Sequence, residues 1–450
     1  MKLEELKSKE ILILGLGTEG FSTLKHLRKL FPDKTIGVAD EKELNEFDNT
    51  SQRIITKDKK LKRYLGKNYH RSLNLYEVIF RTPGMPLPKN TTAKITSQTK
   101  IFVETYRDKI IGVTGTKGKT TTSSLIHKIL KDAGMKVHLV GNIGNPPFDY
   151  LDEVPKTDFF VYELSSFQLQ DLNVSPHVAV FLNLYEEHLD YHGGFENYKR
   201  AKKNIVKWQN KNDYIIYNSD SKIVEKIVKK YKAKKVPFSL KQKKAEYETK
   251  LKGKFNLNNI LAAVAAAKIL KIPYQSITSS VKAFEPVKHR LEFIGNFRGI
   301  DFYNDSIATI PEATIAAIET LKPNVATLIV GGFDRGINYK GLSKKIVEEK
   351  IPNIILFPQT GKIILEGIKD LNRYQPKHFS VKTMKEAVKI AAEVTEKGKI
   401  CLLSPASSSF NLFKNYKDRG KQFIKAVRSL RPSGLKDRGQ QFTHEVKKLK

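Results

Sequence analysis

The stretch Ile110-Ile111-Gly112-Val113-Thr114-Gly115-Thr116-Lys117-Gly118-Lys119-Thr120-Thr121-Thr122 constrains this chain more than any other. An apolar run passes into a glycine loop, then Lys-Thr, then apolar residues at helical spacing (Leu125, Ile126, Ile129, Leu130). The pattern predicts a strand, a tight loop and a helix. In such a loop, from Gly115 through Gly118, the backbone N–H groups close on phosphate oxygens, and the helix N-terminus adds positive potential. Lys119 is placed to reach the outer phosphates and the Thr120 hydroxyl to ligate Mg²⁺. The spacing departs from the Walker A pattern, because Val113 stands where that pattern has glycine.

Upstream, Ile11-Leu12-Ile13-Leu14 reads as a buried strand, followed by Gly15-Leu16-Gly17-Thr18-Glu19-Gly20 and a helical pattern through Phe21, Leu24 and Leu27. A second strand, Ile36 to Ala39, ends in Asp40. The fingerprint is that of a dinucleotide site with Asp40 on a ribose, although the loop suits any diphosphate, including that of a UDP-sugar. Val78-Ile79-Phe80 leads into Arg81-Thr82-Pro83-Gly84 at the same carboxyl edge. The first domain boundary falls near Asp108.

Three further strands follow the phosphate loop. Val137 to Val140 ends in Gly141-Asn142-Ile143-Gly144; Phe159 to Tyr162 ends in Glu163; Val178 to Asn183 leads to Glu186-Glu187-His188. A carboxylate at a strand end beside a phosphate loop is a candidate Mg²⁺ ligand, so Glu163 is one. His188 is either a ligand or a residue that orients one. Lys202, in Tyr198-Lys199-Arg200-Ala201-Lys202, carries no local signal among so many lysines. Asn256 and Asn259 precede an alanine-rich helix that one of them could cap, or they could read a base edge. Phe284 to Arg290 marks the second boundary. Beyond it, Asn304-Asp305-Ser306, a strand at 326–332, and strands at 354–357 and 400–403 alternate with helices as a third parallel α/β unit. Near the end Lys417 to Phe423 recurs almost unchanged as Lys436 to Phe442, which reads as a duplicated terminal helix with a basic tail.

At 450 residues the chain has room for about three domains. No apolar run is long enough to span a membrane. The charged start, running straight into a strand, is unlike a secretory signal, and one cysteine (Cys401) excludes a disulfide framework. The expected compartment is the cytoplasm. The formal net charge is +33, which raises an ATP-dependent nucleic-acid-binding protein as an alternative. Only 15 of the 80 basic residues are arginine, however, and the lysines are scattered, so no specific nucleic-acid partner is expected.

These motifs in this order resemble the Mur ligase family over essentially residues 8–430, within it the branch that adds D-glutamate. The alternatives are another branch or the folylpolyglutamate synthetases. The resemblance implies an ATP-dependent amide ligase of cytoplasmic peptidoglycan precursor synthesis that joins D-glutamate to UDP-N-acetylmuramoyl-L-alanine through an acyl phosphate, and a monomer is expected. It implies three domains: a Rossmann-like UDP-binding domain at 1–107, a central P-loop-type ATPase at 108–287, and a Rossmann-like domain at 288–430, with a basic tail at 431–450. By resemblance, Gly115, Thr116, Lys117, Gly118, Lys119, Thr120, Thr121, Asn259, Arg290 and Asp305 bind ATP. Thr120 and Glu163 hold one Mg²⁺, and His188 with a carbamylated Lys202 a second. Asn142 lies by the reacting groups. Gly15, Leu16, Gly17, Thr18, Asp40 and Thr82 take the UDP substrate. Thr309, Arg335, Ser409 and Tyr416 take D-glutamate. Glu187 stands where the family usually has aspartate, and Phe255 where it has histidine.

Overall fold

The computed structural model describes residues 3–242, 247–251, 253–334, 337–409 and 412–430. They form an α/β chain with three sheets. In the first, β1 (Ile11–Leu14), β2 (Ile36–Asp40), β3 (Leu61–Leu65), β4 (Val78–Arg81) and β5 (Lys94–Thr96) lie parallel in the order β3-β2-β1-β4-β5. Every residue of β1 and β2 is buried, as expected of parallel strands covered on both faces. The order reverses at β1, so the loops after β1 and β4 flank one crevice.

In the second sheet, β6 (Ile110–Thr114), β7 (Val137–Gly141), β8 (Phe159–Glu163), β9 (Val178–Phe181), β10 (Tyr214–Asn218) and β11 (Lys234–Phe238) take the order β11-β10-β9-β6-β8-β7, again all parallel. The chain winds one way from β6 through β8 and the other through β9. The carboxyl ends of β6, β8 and β9 therefore meet, with Val113 paired to Glu163 and Thr114 to Phe181.

The third sheet contains β12 (Glu292–Phe297), β13 (Ile300–Asn304), β14 (Val325–Gly332), β15 (Asn353–Gln359), β16 (Lys377–Ser380) and β17 (Ile400–Leu403), ordered β12-β13-β17-β14-β15-β16. This corrects the expectation of a wholly parallel unit, since β12 pairs with β13 antiparallel. The two-residue connection Arg298-Gly299 has φ of 56° and 82°, the positive pair that a tight hairpin turn requires.

The chain separates into two compact units. One lies within Met1–Leu251 and Phe255–Glu285 and carries the first two sheets; the other lies within Lys252–Lys254 and Pro286–Lys450 and carries the third. In the first unit a single apolar core joins both sheets. Phe102, from the helix Gln98–Tyr106 that links the sheets, packs its ring 5.0 Å from that of Phe160. In the second, the helix Tyr416–Arg428 buries Arg419, Gly420, Phe423 and Val427. The near-repeat at 436–442 and the tail 431–450 lie outside the described residues. No helix among the described residues is long and apolar enough to cross a membrane.

Candidate active site

Sterics at two glycines hold the phosphate loop in shape. Gly118 has φ +89°, and a Cβ there would stand 2.3 Å from Asn259 Oδ1; one on Gly115 would stand 2.9 Å from Leu182 Cβ. The loop is clamped to the end of β9 by Asn183. Its side chain accepts from the Lys117 N–H at 2.8 Å and donates to the Lys117 carbonyl at 2.8 Å, and its own carbonyl accepts from the Thr116 N–H. The helix Lys119–Asp132 then begins without a side-chain cap, which leaves its first amides directed at the loop. Thr120 is half-buried at this terminus, and the buried Thr121 Oγ1 has no hydrogen-bond partner among the described residues.

The lysines here are arranged in an unexpected way. Lys119 folds back, donating to the Gly115 and Thr116 carbonyls at 3.0 and 2.9 Å. Lys117 is buried and pairs with Glu187 at 2.9 Å. Lys202, on the helix Phe195–Lys207, is buried with its Nζ 3.0 Å from the Gly115 carbonyl, 3.3 Å from Thr114 Oγ1 and 5.1 Å from the centre of the Tyr198 ring. Burial drives its ammonium well below the ordinary lysine range; Lys119 and Lys117 push the same way, against Glu187 and Glu163. This environment disfavours the charged form.

Glu163 is fully buried at the end of β8. Its Oε1 accepts from Asn142 Nδ2 at 2.8 Å, while Oε2 is buried without a partner among the described residues. A carboxylate oxygen left bare in a protein interior is costly unless a cation meets it. His188 stands on the same edge with φ 56°, a left-handed conformation rare for a side chain with a Cβ. Its ring lies 4.8 Å from that of Phe167. No three His, Cys, Asp or Glu side chains among the described residues gather as a metal cage. Asn259 completes the loop's surroundings, accepting from Thr122 at 3.4 Å and donating to Asn256 at 3.1 Å. Both asparagines lie inside the helix Lys254–Ile269, so neither is its cap.

On the first sheet, Gly15 has φ +93°, and a Cβ there would stand 2.0 Å from Thr82 Oγ1, so the loops after β1 and β4 touch. Asp40 is buried and accepts from the Leu16 N–H at 2.6 Å and the Lys42 N–H at 3.0 Å. Its carboxylate thus orders the Gly15–Thr18 loop directly. Glu19 follows in the first turn of the helix Thr18–Leu30. Burial pushes its carboxyl up to about 7 against hydrogen bonds from Gln168 and Thr99, and its Oε1 is buried without a partner among the described residues. Through Gln168, which caps the helix Ser166–Leu169 with Ser165, Glu19 connects the loop after β1 to the segment that follows Glu163.

In the second unit, Asp305 is buried at the end of β13 and accepts from the Leu291 N–H at 3.2 Å and Ser404 Oγ at 2.9 Å. Arg290 and Thr309 are half-buried nearby in sequence, Ser409 is buried, and Tyr416 opens the terminal helix. Arg335 lies outside the described residues. Sequence reasoning passed over Arg419. This fully buried guanidinium donates to Ser306 Oγ at 3.0 Å, the Ser306 carbonyl at 2.7 Å and the Ser407 carbonyl at 3.0 Å. Burial pushes it down to about 9, and Asp305 opposes. It ties the Asp305 turn to the 404–409 loop. The near-repeat, which keeps Arg, Gly and Phe in register, was the available signal.

Comparison with known proteins supports the same grouping. The model of the Mur ligase middle domain matches residues 113–267, and that of the Mur ligase glutamate ligase domain residues 289–407. The UDP-N-acetylmuramoylalanine–D-glutamate ligase of Clostridium tetani is 35% identical over 94% of this chain and 97% of that protein. The enzyme of the same name from Acetivibrio thermocellus is 35% identical over 95% and 98%. Among solved structures, MurF from Acinetobacter baumannii superposes with a TM-score of 0.61 over 94% of this chain and 93% of that one, at 16% identity. The UDP-N-acetylmuramate-alanine ligase MurC of Thermotoga maritima gives 0.60 over 94% and 100%, also at 16%.

Proposed function

The chain belongs to the Mur ligase family, and we propose that it is the ATP-dependent ligase that joins D-glutamate to UDP-N-acetylmuramoyl-L-alanine in the cytoplasm. The observation that carries the reading is the meeting, at the ends of β6, β8 and β9, of a phosphate loop with a bare carboxylate oxygen (Glu163) and a buried lysine amine (Lys202).

The γ-phosphoryl of ATP passes to the alanyl carboxylate, breaking its bond to the β-phosphate oxygen and releasing ADP. The D-glutamate amine then attacks the acyl carbon and loses a proton. The tetrahedral adduct collapses with rupture of the C–O bond to phosphate, leaving the amide. The chain's part is positioning and charge neutralisation. The amides of Gly115 to Thr121 hold the phosphates. Lys119 exchanges its two loop carbonyls for the transferring group. Lys117, fixed by Glu187, keeps the loop in shape. Asn142 holds Glu163 and presents its remaining surface to the reacting carboxylate. Asn259 and, in the second unit, Arg290 and Asp305 serve the nucleotide. Gly15 to Thr18, with Asp40 and Thr82, hold the uridine diphosphate. Thr309, Arg335, Ser409 and Tyr416 receive the glutamate carboxylates.

Magnesium fits the donors present: the bare Glu163 Oε2 and the Thr120 hydroxyl are hard oxygens of the kind this ion takes alongside substrate phosphates. When bound it supplies charge neutralisation at the phosphoryl oxygens. His188 and Lys202 would hold a second ion. A neutral Lys202 amine can add to CO₂, forming an N–C bond and releasing a proton, and the resulting carbamate is an oxygen ligand in place of a cation.

Trapping tests the acyl phosphate. With ATP, Mg²⁺, UDP-N-acetylmuramoyl-L-alanine and hydroxylamine, but no amino acid, the protein should yield ADP and the alanyl hydroxamate in equal amounts. ADP without hydroxamate would contradict the route.

A further inference from the structure

The helix Phe195–Lys207 connects β9 to β10, and the helix Lys222–Val228 connects β10 to β11. Both are crossovers between parallel neighbours. Such crossovers share one hand, so the two helices lie side by side on one face of the sheet. Between them is a groove of about 470 Å³, within the size range of small-ligand sites. Its apolar lining is Phe195, Ile223 and Ile227, and Ile223 is left 40% exposed. Its rim carries five cations: Lys199, Arg200, Lys203, Lys226 and Lys230. The one carboxylate lining it, Glu196, is held by Lys199 at 2.5 Å. Lys203, Lys226 and Lys230 have no carboxylate partner among the described residues.

Lysines that merely solvate a surface spread apart over convex faces. Here five cations line one groove with an apolar floor, and cations clustered in this way favour a bound anion. We propose that this groove is a second ligand site, for a phosphate mono- or diester carrying an apolar body. The cations take the phosphate as point charges, and Ile223, Ile227 and Phe195 take the apolar part. The same helix presents Lys202 and Tyr198 on its buried face, about one helix diameter away, roughly 10 Å. The inference does not depend on the ligase reading.

Trp208, the chain's single tryptophan, follows this helix directly, half-exposed with Lys207 Nζ 4.2 Å from its ring. Its ring N–H donates to the Leu172 carbonyl at 3.2 Å and the ring does not line the groove, so binding to the full-length protein is read by calorimetry. Titrations with dihexanoyl phosphatidylglycerol below its micelle concentration, with inorganic pyrophosphate, and with phosphatidylglycerol or phosphatidylcholine vesicles separate charge from apolar contact. The short-chain lipid should bind saturably, about tenfold or more tighter than pyrophosphate, and more weakly as salt rises. The double substitution Lys203→Glu/Lys226→Glu should weaken it by about tenfold or more, while the matched charge change Lys57→Glu/Lys59→Glu leaves it intact. Ile223→Ser should erase the preference over pyrophosphate. Competition by phosphatidylglycerol vesicles would assign a membrane headgroup as the source, and lack of competition a soluble ester; either supports the site. The proposal is overturned by affinity unchanged in the groove variant, by binding to vesicles alone, or by no saturable binding to any probe.

Discussion

Replacing Lys202 by methionine separates the chemistry of the buried amine from its packing. The stem is kept and the Nζ removed. At alkaline pH the wild type retains two hydrogen bonds that the variant lacks, to the Gly115 carbonyl and to Thr114 Oγ1. At about 1 kcal/mol each these amount to about 2 kcal/mol, or about 4–8 °C in Tm for a unit of this size. The folded protein holds the Lys202 ammonium below its ordinary range because of burial and the adjacent Lys119 and Lys117. The unfolded chain therefore binds the extra proton over that interval, and the wild type gains stability as pH rises. The Tm gap over Lys202→Met should be widest at alkaline pH and should close on acidification through the folded value. Scanning fluorimetry of both proteins across pH reads the gap directly. Added bicarbonate should raise the wild-type Tm and leave the variant unmoved. A gap that is constant, or that widens on acidification, would refute the assignment of a destabilised ammonium. Ligase turnover should fall in the variant by about a thousandfold, the scale seen when a preorganised electrostatic group is removed.

Other consequences are more local. Gly118→Ala would set a methyl 2.3 Å from Asn259 Oδ1 in a left-handed backbone, so ATP affinity by calorimetry should drop about tenfold or more; unchanged affinity would mean that the loop can reshape. Glu19→Gln should raise Tm above pH 7 and have no effect below about 4.5, because a carboxyl raised to about 7 costs stability as pH climbs through that window; the opposite trend would count against its burial. Arg419→Leu leaves two carbonyls bare at Ser306 and Ser407, and urea denaturation of its unit should show a loss of about 3–5 kcal/mol. Arg419→Lys should recover stability more than it recovers KM for the amino acid, since one ammonium cannot span both loops.

The elements legible in sequence were those whose burial is uniform. β1, β2, β6, β8 and β9 are short apolar runs because both faces of a parallel sheet are covered, and their terminal residues (Asp40, Glu163, Asn183) were readable as polar stops. β3 and β16 were not read, because edge position leaves them polar, with only Leu61 buried between them. The β12–β13 hairpin was missed because its turn signal is Arg-Gly rather than the more frequent Asn-Gly. The phosphate loop and Glu163 were readable as chemistry. Lys202 was not, since its distinction from its neighbours is burial against Gly115 and Tyr198, which only the fold creates. The family resemblance singled it out, and the geometry supplies a physical reason. The inward fold of Lys119 and the Lys117–Glu187 pair depend on how β9 docks beside the loop, and no spacing rule encodes that.

The central claim is a ligase selective for one acceptor. A coupled phosphate-release assay with ATP, Mg²⁺ and UDP-N-acetylmuramoyl-L-alanine, run in turn with D-glutamate, L-glutamate, D-aspartate and meso-diaminopimelate, tests it most directly. The account predicts phosphate release, with amide product, for D-glutamate far above the other three. Turnover with meso-diaminopimelate or L-glutamate but not D-glutamate, or with none of the four, would contradict it.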